Sequence, residues 1–245
     1  MEEMKMKYVI SDIHGCYEEF MELLEKISFS EQDELFILGD VLDRGPEPIK
    51  VMQEIMGRKN VTFLLGNHEY MLVTMLQLLD REDVAPKEKN EMLNNWFSDG
   101  AIVTSAQFLE LKNEAQDEML DYIKNSVVYY KIEIGEKKYI LVHAGIEGFK
   151  EGKNLEDYQT TDFLFGQVDY KKRLYSDENT YIITGHTPTP MIREDKKPLI
   201  YKENGHIAID CACVFGGKLA AYCLDTEEVT YVDAKQTEIE EELDF

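Results

Sequence analysis

Gly39-Asp40-Val41-Leu42-Asp43-Arg44-Gly45 follows directly on the apolar run Leu35-Phe36-Ile37-Leu38. Four apolar residues that end at a glycine predict a buried strand running into a loop. A structural turn needs only one Asp or Asn to bond its own backbone, but this loop carries two carboxylates and a guanidinium. We therefore interpret Asp40, at the strand tip, as a bridge between two cations. Asp43 and Arg44 lie just beyond it, within reach of whatever those cations bind.

The segments on either side of this stretch repeat the same arrangement. Lys7-Tyr8-Val9-Ile10 ends in Ser11-Asp12-Ile13-His14-Gly15, and Val61-Thr62-Phe63-Leu64-Leu65 ends in Gly66-Asn67-His68-Glu69. Helix-type patterns separate the three strands, so the sequence predicts βαβ units with a mainly parallel sheet. Sites in such sheets gather beyond the carboxyl ends of the strands, which is where these polar loops stand.

The remaining segments complete an α/β domain. We expect a helical insertion at about residues 70–125 within a single domain over residues 1–235, followed by an acidic tail at residues 236–245. A hairpin is predicted next, and its second strand ends in His143-Ala144-Gly145. A later strand ends in Gly185-His186-Thr187. Further strands are predicted near Pro198–Tyr201, His206–Asp210, Lys218–Leu224 and Val229–Val232.

Composition excludes several classes of function. The 245 residues contain 49 acids and 26 bases, a formal charge of −23, which argues against binding a nucleic-acid polymer. No apolar run approaches the roughly 20 residues that span a bilayer. The segment Met1–Lys7 is too acidic for a signal peptide, and the four cysteines form no CxxC pair. Cys211 and Cys213 are spaced to share one face of a strand. We expect a cytoplasmic protein with reduced thiols.

Four of the five histidines stand beside a glycine-containing loop after an apolar strand, and only His206 does not. Imidazole and carboxylate together suit Mn, Fe and Zn, so the chemistry points to a pair of divalent transition-metal ions. We assign Asp40 as the bridge between the ions. The other proposed ligands are Asp12 and His14 for one ion, and Asn67, His143 and His186 for the other.

His68 is left over beside these ligands. A histidine held by a carboxylate such as Asp43 suits the general acid that protonates a leaving group. Arg44 offers a planar guanidinium that can bind two phosphoryl oxygens at any working pH.

Five motifs together resemble, in order, those of the calcineurin-like metallophosphoesterases, over about residues 7–225. The motifs are Asp12-Ile13-His14-Gly15, Gly39-Asp40-Val41-Leu42-Asp43-Arg44-Gly45, Gly66-Asn67-His68-Glu69, His143-Ala144-Gly145 and Gly185-His186-Thr187. More narrowly, they are similar to the phosphoprotein phosphatase subgroup in its bacterial and phage form, typified by bacteriophage lambda phosphatase.

The resemblance implies two facing β-sheets flanked by helices, an αββα sandwich. It also implies a dinuclear, usually manganese-dependent site, and direct attack on phosphorus by hydroxide held at the metal pair, without a phosphoenzyme. The metal roles assigned above coincide with those of the family, as does the pairing of Asp43 with His68.

Two stretches depart from the family pattern. In Trp96–Thr104, Asp99 stands where the family has Asn, and Ala101 where it has a second Gly. Around Asp162–Gln167, Phe165 and Gln167 stand where the family has Trp and then a second phosphate-binding Arg. Loss of that charge would weaken phosphate binding by about 1–2 kcal/mol, unless Arg173 substitutes for it.

The favoured function is a phosphomonoesterase acting on phosphoproteins, with serine/threonine or dual specificity. The acid before Arg44 and Glu69 at the end of the third motif favour it by resemblance. The alternative is a symmetrical dinucleoside tetraphosphatase, or another hydrolase of small phosphate esters. A third hypothesis is a metal-retaining binding protein without activity, supported only by Asp99 and Gln167. The oligomeric state is not predicted.

Overall fold

The structure is a computed structural model, and it describes residues 5–235. The acidic tail expected at residues 236–245 lies outside this range. The described part contains ten strands: β1 (Lys7–Ile10), β2 (Glu34–Ile37), β3 (Val61–Phe63), β4 (Tyr129–Ile134), β5 (Lys137–Val142), β6 (Thr180–Thr184), β7 (Tyr201–Glu203), β8 (His206–Ala208), β9 (Lys218–Cys223) and β10 (Val229–Asp233).

The strands form two five-stranded mixed sheets, in the orders β10-β9-β1-β2-β3 and β4-β5-β6-β8-β7. In the first sheet β1, β2 and β3 are parallel, and β9 is antiparallel to both β1 and β10. In the second sheet β5, β6 and β8 are parallel, while β4 and β7 run antiparallel at the edges. The predicted α/β fold with two facing sheets is confirmed.

Helices cover the outer faces of both sheets. Among the described residues the α-helices are α1 (Tyr17–Lys26), α2 (Pro48–Met56), α3 (Asn67–Asp80), α4 (Pro86–Trp96), α5 (Ile102–Glu110), α6 (Asn113–Lys124), α7 (Thr160–Leu164) and α8 (Thr189–Ile192). Within that part of the chain, no helix is both long and apolar enough to cross a membrane.

The apolar run before the central loop is buried on both faces. Leu35 and Ile37 pack in the core beneath the helices, whereas Phe36 and Leu38 pack in the core between the two sheets. This alternation follows from the two-residue period of a strand, and burial on both faces is typical of a strand inside a layered α/β fold. Helices of the insertion contribute to the core beneath the helices, which supports the proposal of one domain.

Some local predictions were wrong. The strand expected at Pro198–Tyr201 begins only at Tyr201. Cys211 and Cys213 do not share a strand face, because Cys211 lies beyond the end of β8 and Cys213 begins a 3₁₀ turn. Ala212 between them has a left-handed φ of 59°. All four cysteines are buried free thiols.

Candidate metal centre and active site

The loops at the carboxyl ends of five strands bring the predicted metal ligands into one group, in which all but the half-buried His186 are buried. Asp40 Oδ2 is at its middle, 3.4 Å from His143 Nε2, 3.7 Å from His14 Nε2 and 3.8 Å from His68 Nε2. Burial alone would raise the pKa of Asp40, but the surrounding imidazoles of His143, His68 and His14 hold it well below its usual range. Asp40 is therefore a carboxylate.

The main chain fixes how two of these imidazoles are protonated. His14 Nδ1 lies 2.7 Å from Leu42 O, and His143 Nδ1 lies 2.6 Å from Leu38 O. A carbonyl oxygen can only accept, so Nδ1 carries the proton in each ring. Nε2 of each ring then faces Asp40, and a ring that donates through Nδ1 and presents Nε2 is the usual arrangement of histidines that bind metals.

Two further atoms, Asn67 Oδ1 and His186 Nδ1, converge on His143 Nε2 beside Asp40. Asn67 Oδ1 lies 2.8 Å from His143 Nε2 and 2.9 Å from His186 Nδ1, and the two ring nitrogens are 3.2 Å apart. Atoms that all offer lone pairs would repel one another at these distances without a shared proton or cation. Asp40, His143 and His186 together form a group that could hold a metal ion. Its mixed nitrogen and oxygen donors fit a transition metal.

A second group on the other side of Asp40 could also hold an ion, and it consists of His14, Asp40 and His68. From the sequence we assigned Asp12, with His14 and Asp40, to this ion, and we gave His68 the separate role of general acid. In the structure both carboxylate oxygens of Asp12 accept from the main-chain N–H of His186, at 3.0 and 2.9 Å. Burial, with the carboxylates of Asp210 and Asp40 nearby, raises the pKa of Asp12 well above its ordinary value. A carboxyl group in such surroundings gains most from a nearby cation.

His68 and Asp43 form the closest acid–imidazole pair of this group. His68 Nδ1 donates to Asp43 Oδ2 at 2.7 Å, and both side chains are buried. Burial disfavours the imidazolium, but Asp40 and the Asp43 hydrogen bond outweigh it and raise the pKa of His68 above its ordinary value. Within residues 5–235, Nε2 of His68 has no hydrogen-bond partner. When the ring is protonated, Nε2–H is a donor without a partner, and a buried donor of this kind is suited to a bound substrate atom.

Arg44 lies beside the centre and is half-buried. Its Nη1 donates to His14 Nε2 at 2.6 Å, and its Nη2 donates to Asp99 Oδ1 at 3.2 Å. The guanidinium carbon is 5.4 Å from the ring centroid of Phe215. Gly100 is required beside it, because a Cβ there would lie 2.6 Å from Arg44 Cγ and the residue has a φ of 101°.

Glu69 holds the central loop in place. Its buried carboxylate accepts from the N–H groups of Asp40 at 2.9 Å, Val41 at 2.8 Å, Leu42 at 3.0 Å and Gly66 at 3.1 Å. The motif that carries it is not a loop, as the sequence suggested, but the first turn of α3. Because a helix begins with unpaired N–H groups, an acid in the first turn is favourable there.

The site loops have unusual backbone geometry. Left-handed φ values between 43° and 68° occur at Asp12, His14, Asp40, Asp43, Arg44 and His186. Such conformations cost roughly 1–2 kcal/mol for a residue with a side chain, and they persist only where the surroundings impose them. Their concentration at one place supports a functional rather than a structural purpose.

The two remaining predicted site residues have different positions. Gln167 is exposed in the cleft beside His186. Arg173 is not brought to the centre, because its guanidinium donates to the main-chain oxygens of Asp177 and Thr180, at the amino end of β6. His186 follows the opposite end of that strand, so Arg173 does not replace a second phosphate-binding Arg here.

Two buried residues near the centre were missed. Thr104 Oγ1 accepts from the Asp43 N–H at 2.8 Å. Asp210 follows β8, and burial raises its pKa to about 6. Asp210 could have been found as an acid just after a buried strand. It was missed because no glycine follows it directly, unlike the loops that carry the predicted ligands.

Comparison with known proteins identifies the relatives of this chain. The sequence profile described as calcineurin-like phosphoesterase matches residues 8–232. The asymmetrical bis(5'-nucleosyl)-tetraphosphatase PrpE of Oceanobacillus iheyensis is 28% identical, over 95% of this chain and 94% of the relative. The symmetrical bis(5'-nucleosyl)-tetraphosphatase of Buchnera aphidicola is 29% identical, over 69% of this chain and 59% of the relative.

A solved structure shares the fold. The crystal structure of a putative diadenosine tetraphosphatase superposes with a TM-score of 0.65 at 16% sequence identity, covering 95% of each chain. At that identity the likeness concerns the fold alone.

Proposed function

Because the chain belongs to the calcineurin-like phosphoesterase family and is therefore a metal-dependent phosphoric ester hydrolase, we propose that it cleaves dinucleoside tetraphosphates. The observation that carries the proposal is the relationship to PrpE, which spans nearly the full length of both chains. We expect cleavage into a nucleoside monophosphate and a nucleoside triphosphate, as the name of that relative implies.

This proposal reverses the preference drawn from the sequence, which placed phosphoproteins first. Two acids led to that preference, and both have positions that explain them without a protein substrate. Asp43 orients His68, and Glu69 holds the central loop. These contacts are useful to a phosphatase of any specificity, so the two acids do not discriminate between the substrates.

The family depends on two metal ions, and the donor set around Asp40 fits such a pair. We propose Mn²⁺, held by Asp40 with Asn67, His143 and His186 on one side, and with Asp12 and His14 on the other. When bound, two such ions would activate water and neutralise charge on the phosphoryl oxygens.

The chain's own residues supply binding and a proton. We propose that Arg44, turning from Asp99, binds two oxygens of the phosphate that is cleaved. His68 donates the proton on Nε2 to the leaving oxygen, while Asp43 keeps the ring oriented through Nδ1. Asn67 contributes its amide to the same phosphate.

The test is product analysis with purified protein. Diadenosine tetraphosphate, phosphoserine and phosphotyrosine peptides, and p-nitrophenyl phosphate are incubated with Mn²⁺ or with chelator, and products are resolved by chromatography. We expect the highest kcat/KM with the dinucleotide, release of AMP and ATP, and no turnover with chelator. Two ADP per substrate would establish symmetrical cleavage instead. Faster turnover of the peptides would assign the chain to the protein phosphatases instead.

The cytoplasmic location stays a prediction.

A further inference from the structure

A large cleft opens beside the metal centre. Its volume is about 990 Å³, and it reaches from the segment after α7 to α8 and β7. His186, a proposed metal ligand, forms part of its wall together with the neighbouring Thr187. A molecule bound at the centre through phosphate can therefore extend directly into this space.

An exposed aromatic side chain lines the cleft in a fixed position. Phe165 is 45% exposed, although the two residues before it are buried, and its ring lies edge-on to Tyr70 with centroids 6.4 Å apart. The next residue, Gly166, packs so tightly that a Cβ there would lie 2.8 Å from the Glu147 nitrogen. Gln167 N–H then donates to Glu147 Oε2 at 3.1 Å. The backbone is thus anchored on the far side of Phe165.

Met191, from α8, adds a second apolar side chain to the cleft and is 72% exposed. Exposed Phe and Met side chains in one concave surface are costly in water and typical of a ligand site. A flat aromatic ligand in the cleft would have apolar surface to pack against.

The charges of the cleft do not suit another phosphate. Its lining contains four acids and two bases, the acids being Asp169, Glu194, Asp195 and Glu203. Two of these acids are paired at 2.9 Å, Asp195 with Arg193 and Asp169 with Lys172, so among the described residues Glu194 and Glu203 are the cleft acids without a salt bridge. The cleft therefore suits an uncharged group that can donate hydrogen bonds, such as the amino group of a base.

We propose that this cleft binds one nucleoside of the substrate, with its base against Phe165 and Met191 and its phosphates extending past His186 to the metal centre. The inference rests on the proposed function, because it names the part of a dinucleoside tetraphosphate that the cleft recognises. A basic segment of a phosphoprotein would also meet the acids, but it would leave Phe165 uncovered.

The first measurement is binding, which does not depend on turnover. AMP and ribose 5-phosphate carry the same phosphate monoester and differ by the base. By titration calorimetry with the Mn²⁺-loaded protein, we expect AMP to bind about tenfold more tightly than ribose 5-phosphate, since stacking on an aromatic ring favours a base by about that factor. Phe165→Ala should remove most of this difference, and Phe165→Trp should keep it. Leu109→Ala, which alters an exposed apolar residue outside the cleft, should leave the ratio unchanged.

The second measurement is the KM for diadenosine tetraphosphate, which should rise about tenfold in Phe165→Ala relative to the KM for inorganic tripolyphosphate. Equal affinities of the wild type for AMP and ribose 5-phosphate would overturn the nucleoside site. So would an AMP preference that survives Phe165→Ala. If the protein prefers AMP over ribose 5-phosphate through Phe165 but does not hydrolyse diadenosine tetraphosphate, the nucleoside site stands and only the proposed function is overturned. Tighter binding of a basic phosphopeptide than of AMP, lost in Glu194→Gln, would assign the cleft to protein substrates.

Discussion

Two parts of the site differ in how their side chains are held. The floor consists of Asp12, His14, Asp40, Asn67 and His143, which are all buried and mostly tied to main-chain groups. The rim consists of Arg44, Asp99, Phe165 and Gln167. Its side chains are partly or largely exposed, and Arg44 and Asp99 are held in part by each other.

The difference indicates which part determines which property. Changing one buried, hydrogen-bonded floor residue leaves its partners unsatisfied, at a cost of about 1–3 kcal/mol or more for charged groups. Exposed ion pairs like that of the rim contribute only about 0.2–1 kcal/mol. We therefore expect the floor to set whether the enzyme works at all, and the rim to set which substrate it prefers.

The largest effect is expected at the middle of the floor. Asp40→Asn should lower kcat/KM at least about a thousandfold with every substrate, because it removes the charge of the residue that we propose as the bridge between the two ions. Metal analysis after gel filtration should show that neither ion is retained. Asp99→Asn makes the same chemical change at the rim and should keep both ions. Two ions still bound to Asp40→Asn would refute the bridge.

His68 lies where floor and rim meet. His68→Asn should slow hydrolysis of an alkyl phosphate about 10²–10⁴-fold, because an alkoxide leaves only when protonated. The loss with p-nitrophenyl phosphate should be far smaller, since its leaving group needs little protonation. Steady-state rates with both esters, measured on the same preparation, make the comparison. Equal losses would exclude the role of general acid.

Asp99 should oppose substrate binding. Its carboxylate occupies Arg44 and lies 3.8 Å from His68 Nε2, so phosphate must compete with it. Asp99→Asn should lower the KM of phosphate substrates up to about fivefold, with kcat affected less. Asp83→Asn breaks an exposed pair with Arg81 in the helical insertion and is the matched control. An unchanged KM would mean that the pair does not limit access to Arg44.

The smallest effect is expected at Gln167. Gln167→Arg adds a cation to the rim beside His186 and should lower KM by about two- to fivefold. Gln53→Arg, on the exposed face of α2, adds the same charge away from the site. Equal changes in both variants would show a general effect of charge and no contact with phosphate.

The position of most of the floor was predictable from sequence, because each proposed ligand follows an apolar strand and parallel strands end at one edge. The backbone of these loops was not predictable. Nothing in the sequence indicates that Asp12 or His186 has a left-handed φ, since such conformations are imposed by contacts distant along the chain. Arg173 failed as a prediction for a related reason. Its sequence position is near the site, but main-chain oxygens at the amino end of β6 bind its guanidinium.

The left-handed residues also bear on how this sequence would change under selection. Glycine adopts their backbone geometry without strain, so a change such as His186→Gly relieves a local penalty while removing a proposed ligand. At Arg44, a half-buried rim residue, this gain is not offset by buried groups left unsatisfied, so a laboratory population selected for thermal stability alone should acquire glycine there and lose activity. Only continued selection for turnover would keep the strained arginine at this position. A strained side chain that persists under such selection would therefore be one that contributes to turnover.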